Sequence, residues 1–261
     1  MSETGITILG FFVIFAGTAL GSAMVYLTKK QISAKFNTMM LGIAAGVMIA
    51  ASVWSLLLPS LEQSQQQNWG NFYFVPTVAG FVLGGLFLVL LDKIVPHVHA
   101  TGEEEGLPST ANKSTKMFLA VTIHNVPEGL AVGFAFGAAQ GDKTALIAAL
   151  GLAIGMAVQN FPEGAAVSLP LVGETGSKHK AFLMGAGSGA VEPISAVVGF
   201  FLSSVLMSLQ PWFLAFAAGA MIFVVAEDLI PDAKLGDNPH LGTWGVMLGF
   251  VIMMILDVVL G

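Results

Sequence analysis

Long apolar stretches dominate the chain, and none alternates polar with apolar residues as a barrel strand would. Eight of them reach the roughly 20 residues that a helix needs to cross a bilayer. They run over residues 5–27, 39–61, 72–91, 117–139, 145–172, 181–207, 212–230 and 243–260. The pattern predicts an all-α integral membrane protein of eight transmembrane helices, built as a single domain over 1–261 with one long loop at about 92–116. The first stretch does not read as a signal peptide, because it is too long and its lysines follow the apolar run.

Charge then orients the spans. Lys29, Lys30 and Lys35 follow span one, Lys93, Lys113 and Lys116 lie between spans three and four, Lys178 and Lys180 between five and six, and Lys234 between seven and eight. Only Lys143 falls in an even-numbered loop. By the positive-inside rule the odd loops are cytoplasmic and both termini lie outside. Composition agrees: 55% of residues are apolar and 10% charged, against about 25% charged in a soluble domain, so the lipid bilayer is the chain's solvent. All ten basic residues are lysine, which leaves no arginine fork for phosphate and argues against nucleic acid as a partner. There is no cysteine, so any metal must be met by oxygen and nitrogen.

Glycine is abundant, at 31 residues, and recurs at four-residue spacing in Gly42/Gly46, Gly80/Gly84, Gly129/Gly133 and Gly151/Gly155. Such pairs let helix backbones approach closely. The run from Gly185 to Ala190 has the glycine density of a dinucleotide fingerprint, but it lies inside an apolar span with no strand before it, so it reads as helix packing too.

The candidate chemistry lies in the middle of the membrane. Span four contains His124-Asn125-Val126-Pro127-Glu128-Gly129 and span five Gln159-Asn160-Phe161-Pro162-Glu163-Gly164. Over ten residues the two segments share six identities. Consecutive spans run in opposite directions, so one motif is presented twice with inverted topology, an arrangement that marks substrate sites in transporters. At 1.5 Å per residue, Glu128, Glu163 and Glu192 each lie roughly 16–18 Å from the cytoplasmic edge, close to the midplane of a core about 30 Å thick. A lone charge there costs at least ~2.5–3.5 kcal/mol. No lysine lies at that level in spans four to six, so protons or bound cations must neutralise the three carboxylates.

Spacing favours cations. His124 and Asn125 stand four and three residues before Glu128, and Gln159 and Asn160 repeat that relation to Glu163, so each set shares a helix face. Pro127 and Pro162 free the carbonyls of Ile123 and Val158 and predict kinked helices four and five. Histidine mixed with carboxylates suits zinc, iron, manganese or cobalt, with cadmium as a further candidate. Amide oxygens are weak ligands, as a carrier requires, and two facing glutamates could bridge two ions. Away from this level, Glu227 and Asp228 read either as interfacial residues or as a cytoplasmic-side relay, and Asp257 reads as interfacial. Ser52 and Trp54 read as packing or as the lining of an entrance. The long loop offers His97, His99 and the run Glu103–Glu105, a solvated segment with a weak metal-collecting alternative.

These segments resemble the ZIP (Zrt/Irt-like protein) family of divalent-metal transporters, in particular its bacterial GufA-like branch. Gly189-Ala190-Val191-Glu192-Pro193 and Ala226-Glu227-Asp228-Leu229-Ile230-Pro231 carry the resemblance further along the chain. It implies a binuclear site, with one ion on His124, Glu128, Gln159 and Glu163. The second ion falls to Asn125, Asn160 and Glu192, with Glu128 and Glu163 bridging. Asn160 and Gln159 stand where other members carry aspartate and histidine. The resemblance also implies cytoplasmic-side ligands at Asp92, His97, His99 and Asp228, a homodimer in a bacterial inner membrane, and a four-helix bundle that moves against a scaffold.

Two other functions compete. An intramembrane zinc hydrolase needs a compact histidine-rich motif such as His-Glu-x-x-His, which the sequence lacks. A proton- or sodium-coupled exchanger could run on buried carboxylates alone, but His124 and the three side-chain amides point away from it.

Overall fold

The computed structural model describes residues 2–27, 34–67, 69–98, 104–108, 110, 113–234 and 238–260. Among the described residues, seven helical segments are long and apolar enough to cross a membrane: Glu3–Leu27, Thr38–Gln66, Gly70–Ile94, Lys143–Thr175, Lys178–Val205, Met207–Lys234 and His240–Val259. The helix Lys113–Ala138 has similar length, 26 residues, and its hydropathy is lowered by His124, Asn125 and Glu128 in its middle. It stands fourth in the chain, so spans one to eight below follow the sequence order expected above. The one extended element among the described residues is a two-residue antiparallel ladder in the long loop, pairing His97 with Glu105 and Val98 with Glu104.

Local chemistry sets several span ends. Ser2 caps span one by accepting from the Gly5 amide, and Asp142 caps span five by accepting from the amides of Thr144 and Ala145, as N-cap oxygens do. Span five ends at Gly176, whose φ of 64° lies in the left-handed region that closes helices most cheaply at glycine. Ser177 then caps span six, which folds it back beside span five.

The helices run on through Pro127 and Pro162, and the irregular backbone falls elsewhere. Span two passes through a π-helical segment, Ser52–Leu57, just before Pro59. Span seven does the same over Val225–Leu229, just before Pro231. A proline cannot accept the normal helical register on its N-terminal side, and an i→i+5 turn absorbs the misfit. Span six breaks at Ala190 into Lys178–Gly189 and Val191–Val205. Pro193 cannot donate to the Gly189 carbonyl, and the break leaves Glu192 in the first turn of a new helix, where the helix dipole favours a carboxylate.

Four tightly packed pairs organise the spans: one with five, four with six, two with eight, and three with seven. Small residues bring each pair together. Gly133 lies against the backbone of Ala196, Gly46 against Val246, Gly84 against Phe216, and Gly164 against Thr18. The four-residue glycine spacing expected to mark close helix contact does so in spans two, three and four. Spans one, four, five and six contact one another as one group, and two, three, seven and eight as another. Span five against spans two and eight, and span four against span seven, join the groups. At Gly84 an added Cβ would lie 1.9 Å from the Phe216 carbonyl oxygen. Gly84→Ala is therefore expected to destabilise the purified protein by about 1–3 kcal/mol, read as a lowered melting temperature in detergent. An unchanged melting curve would show that this pair does not pack as described.

Candidate metal centre

Within the first helical group, four spans direct polar side chains into an otherwise apolar interior. Asn125 and Glu128 come from span four, Gln159 and Asn160 from span five, Glu192 from span six and Thr18 from span one, and none is more than 1% exposed. Glu163, one turn beyond Gln159, is half-buried. Glu128 and Glu192, two of the three carboxylates expected at one depth, are linked through the amides of Gln159 and Asn160.

Hydrogen bonds orient the cluster. Gln159 Nε2 donates to Glu128 Oε2 at 2.6 Å and to Asn160 Oδ1. Asn160 Nδ2 donates to Glu192 Oε2 and to the Ile14 carbonyl at 3.2 Å. Thr18 Oγ1 donates to Glu192 Oε1 at 2.7 Å, and Asn125 Nδ2 donates to the Ser188 carbonyl at 3.1 Å. Nitrogens are thus spent on holding the frame. Asn125 Oδ1, Glu128 Oε1 and Gln159 Oε1 remain buried without a hydrogen-bond partner. Buried oxygens of this kind cost about 1–3 kcal/mol each unless something meets them. Three in one cluster form an oxygen-rich donor set that fits a cation.

His124 is turned towards span seven, where its Nε2 lies 3.4 Å from Asp228 Oδ2. Asp228 belongs to the π-helical segment of span seven, so this contact links the two helical groups. It had been expected at a helix end or on a cytoplasmic-side relay; it stands beside the histidine of the midplane motif. Among the described residues, no three His, Asp or Glu side chains converge as a ready-made ion cage, and the amides of Asn125, Gln159 and Asn160 make up the rest of the cluster.

The remaining candidates lie apart. Glu227 is exposed beside Asp228, and Asp92 is half-buried near the C-terminal end of span three. His97 enters through its backbone pairing with Glu105, and His99 lies outside the described residues. Asp257 was expected at the interface; it is half-buried and accepts a 2.6 Å hydrogen bond from Ser55, in the π-helical segment of span two. Ser52 is fully buried and Trp54 packs edge-on against Phe250, so packing describes Trp54 better than an entrance.

Apolar side chains bracket the cluster along the helices. Phe136 of span four and Phe200 of span six meet Phe11 of span one edge-to-face, at 5.7 and 6.3 Å, each about two helical turns from the carboxylate or threonine of its own span. On the other side lie Val25, Val167, Leu171 and Ala181, a second small core. Thr18 is the residue of this arrangement that sequence reasoning missed, and the contact of Asp228 with His124 was not foreseen.

A multi-pass helical bundle with carboxylates and amides buried in its interior is the build of an integral membrane protein with a polar site among its helices. The profile of the ZIP zinc transporter family matches residues 115–257. The chain is 37% identical to zinc transporter ZIP11 of Homo sapiens, over 97% of each protein. It is 37% identical to zinc transporter GufA of Myxococcus xanthus, over 95% of this chain and 97% of that one. With zinc transporter ZIPB of Bordetella bronchiseptica the identity is 39%, over 99% of this chain and 82% of the relative. The chain belongs to the ZIP family, whose members are zinc transporters and not enzymes.

Proposed function

We propose that the protein carries divalent transition-metal ions, zinc first among them, across a bacterial inner membrane into the cytoplasm, through a binuclear site at mid-depth. One ion is held by His124, Glu128, Gln159 and Glu163. The other is held by Asn125, Asn160 and Glu192, and Glu128 and Glu163 bridge the two. The observation that carries this reading is the trio of buried, unpartnered oxygens on Asn125, Glu128 and Gln159, in a cluster whose amide nitrogens are already engaged. The names of the relatives support zinc as cargo, and iron, manganese, cobalt and cadmium match the same donor types.

The repeated motif in antiparallel spans supports an inverted repeat centred on the site. Opening of the backbone at Pro127 and Pro162 would add the Ile123 and Val158 carbonyls to the path. The contact of His124 with Asp228 supports a handover towards the cytoplasm, with Asp92, Glu227, His97 and His99 further along. The two helical groups support motion of spans one, four, five and six against the others, in a homodimer with both termini outside.

Uptake of labelled zinc into proteoliposomes, with and without a pH gradient, tests the whole. Zinc accumulation without hydrolytic activity is the expected result. Gradient-driven proton or sodium movement that ignores zinc would refute the reading.

A further inference from the structure

Span one carries none of the proposed ligands, yet one turn of it anchors two of them. A threonine in a membrane helix commonly returns its hydroxyl to the carbonyl four residues back, as Thr122 does with Phe118 at 2.7 Å. For Thr18 that carbonyl belongs to Ile14. Thr18 instead gives its hydroxyl to Glu192 Oε1 at 2.7 Å, and the Ile14 carbonyl accepts from Asn160 Nδ2 at 3.2 Å. The same Asn160 nitrogen donates to the second oxygen of Glu192. Both oxygens of Glu192 are thereby held, and the Asn160 amide is fixed with its oxygen on the side of Gln159.

Packing locks this arrangement. Thr18 is 1% exposed and lies over Gly189, where an added Cβ would come within 2.6 Å of the Thr18 side chain. The helix break at Ala190 follows at once, so Thr18 sits at the joint from which Glu192 projects. An outer layer that aims ligands in this way typically sets metal affinity by about 10–100-fold.

We propose that Thr18 is a positioning residue of the transport site, fixing the Glu192 carboxylate while the Ile14 carbonyl fixes Asn160. Span one thereby sets the affinity of the second ion position without touching the ion. This rests on the reading of Glu192 and Asn160 as ligands. It explains how a site with a neutral asparagine can stay ordered, because the amide cannot turn its nitrogen towards the ion without losing two hydrogen bonds.

A double-mutant cycle on zinc uptake in proteoliposomes tests it. Thr18→Val, which keeps the shape and removes the hydroxyl, is expected to raise the KM for zinc about tenfold, and Thr18→Ser to restore it. In a Glu192→Gln background Thr18→Val is expected to add little, because the group it aims has changed. If Thr18→Val fails to insert, Thr18→Ala takes its place in the cycle. A KM unchanged by loss of the hydroxyl, a serine variant as impaired as valine, or a loss that adds in full to that of Glu192→Gln would overturn the positioning role and leave the site itself standing. Wild-type uptake by Glu192→Gln alone would remove both.

Discussion

Replacing Glu163 by alanine is expected to bring zinc uptake down to background while the protein still inserts and folds. In the proposed site Glu163 touches both ions, so its loss strips a ligand from each. Partners that only orient a ligand are worth about 10–100-fold in metal affinity, and a shared ligand must be worth at least that at each position. The fold should tolerate the change. Glu163 is half-buried, and removing an ionisable carboxyl from a membrane span spares the bilayer a costly group rather than burdening it. Uptake measured at matched expression decides the matter. Retention of more than about a tenth of wild-type uptake, set against that hundredfold expectation, would show that Glu163 does not bridge.

The spans were legible because membrane insertion is a one-dimensional problem: length and hydropathy decide it. The glycine pairs were legible for a related reason, since small residues at four-residue spacing have few other uses in lipid. The midplane cluster could be read because charge in hydrocarbon is expensive enough to demand an explanation. What escaped was pairing across helices. Spans that are apolar all round give no sign of which neighbour they will meet, so nothing marked Thr18 as facing Glu192 while Thr122 folds back on its own helix. Asp228 read as an interfacial residue or part of a cytoplasmic-side relay, and neither reading supplied its partner. It lies in the π-helical turn before Pro231, beside His124. Asp257 escaped for the same reason, its partner Ser55 lying in a span far away in sequence. Prolines were the least reliable guide. Those of the repeated motif sit inside continuous helices, whereas Pro59, Pro193 and Pro231 each follow a local change in helical form.

The two ion positions are expected to separate under mutation. In the proposed site Glu192 and Asn160 belong to the second position alone, and His124 and Gln159 to the first. Because Asn160 is neutral, the second position carries one negative charge fewer than it would with aspartate, so it should bind its ion more weakly and empty first as free metal falls. Glu192→Gln is expected to lower bound metal from two ions per chain towards one and to leave partial transport. His124→Ala is expected to be more damaging, because it removes the one nitrogen donor of the proposed set and leaves Asp228 without the ring that faces it at 3.4 Å. Asn160→Asp should tighten the second position, since an added charge close to the ion strengthens its hold in a site shielded from water. It also replaces the nitrogen that now donates to Glu192 and to the Ile14 carbonyl, so the gain will be smaller than charge alone implies. Metal titration of the purified variants, read beside uptake, distinguishes these outcomes. A Glu192→Gln protein as inactive as Glu163→Ala, or an Asn160→Asp protein that binds no tighter, would show that the two positions do not divide the work in this way.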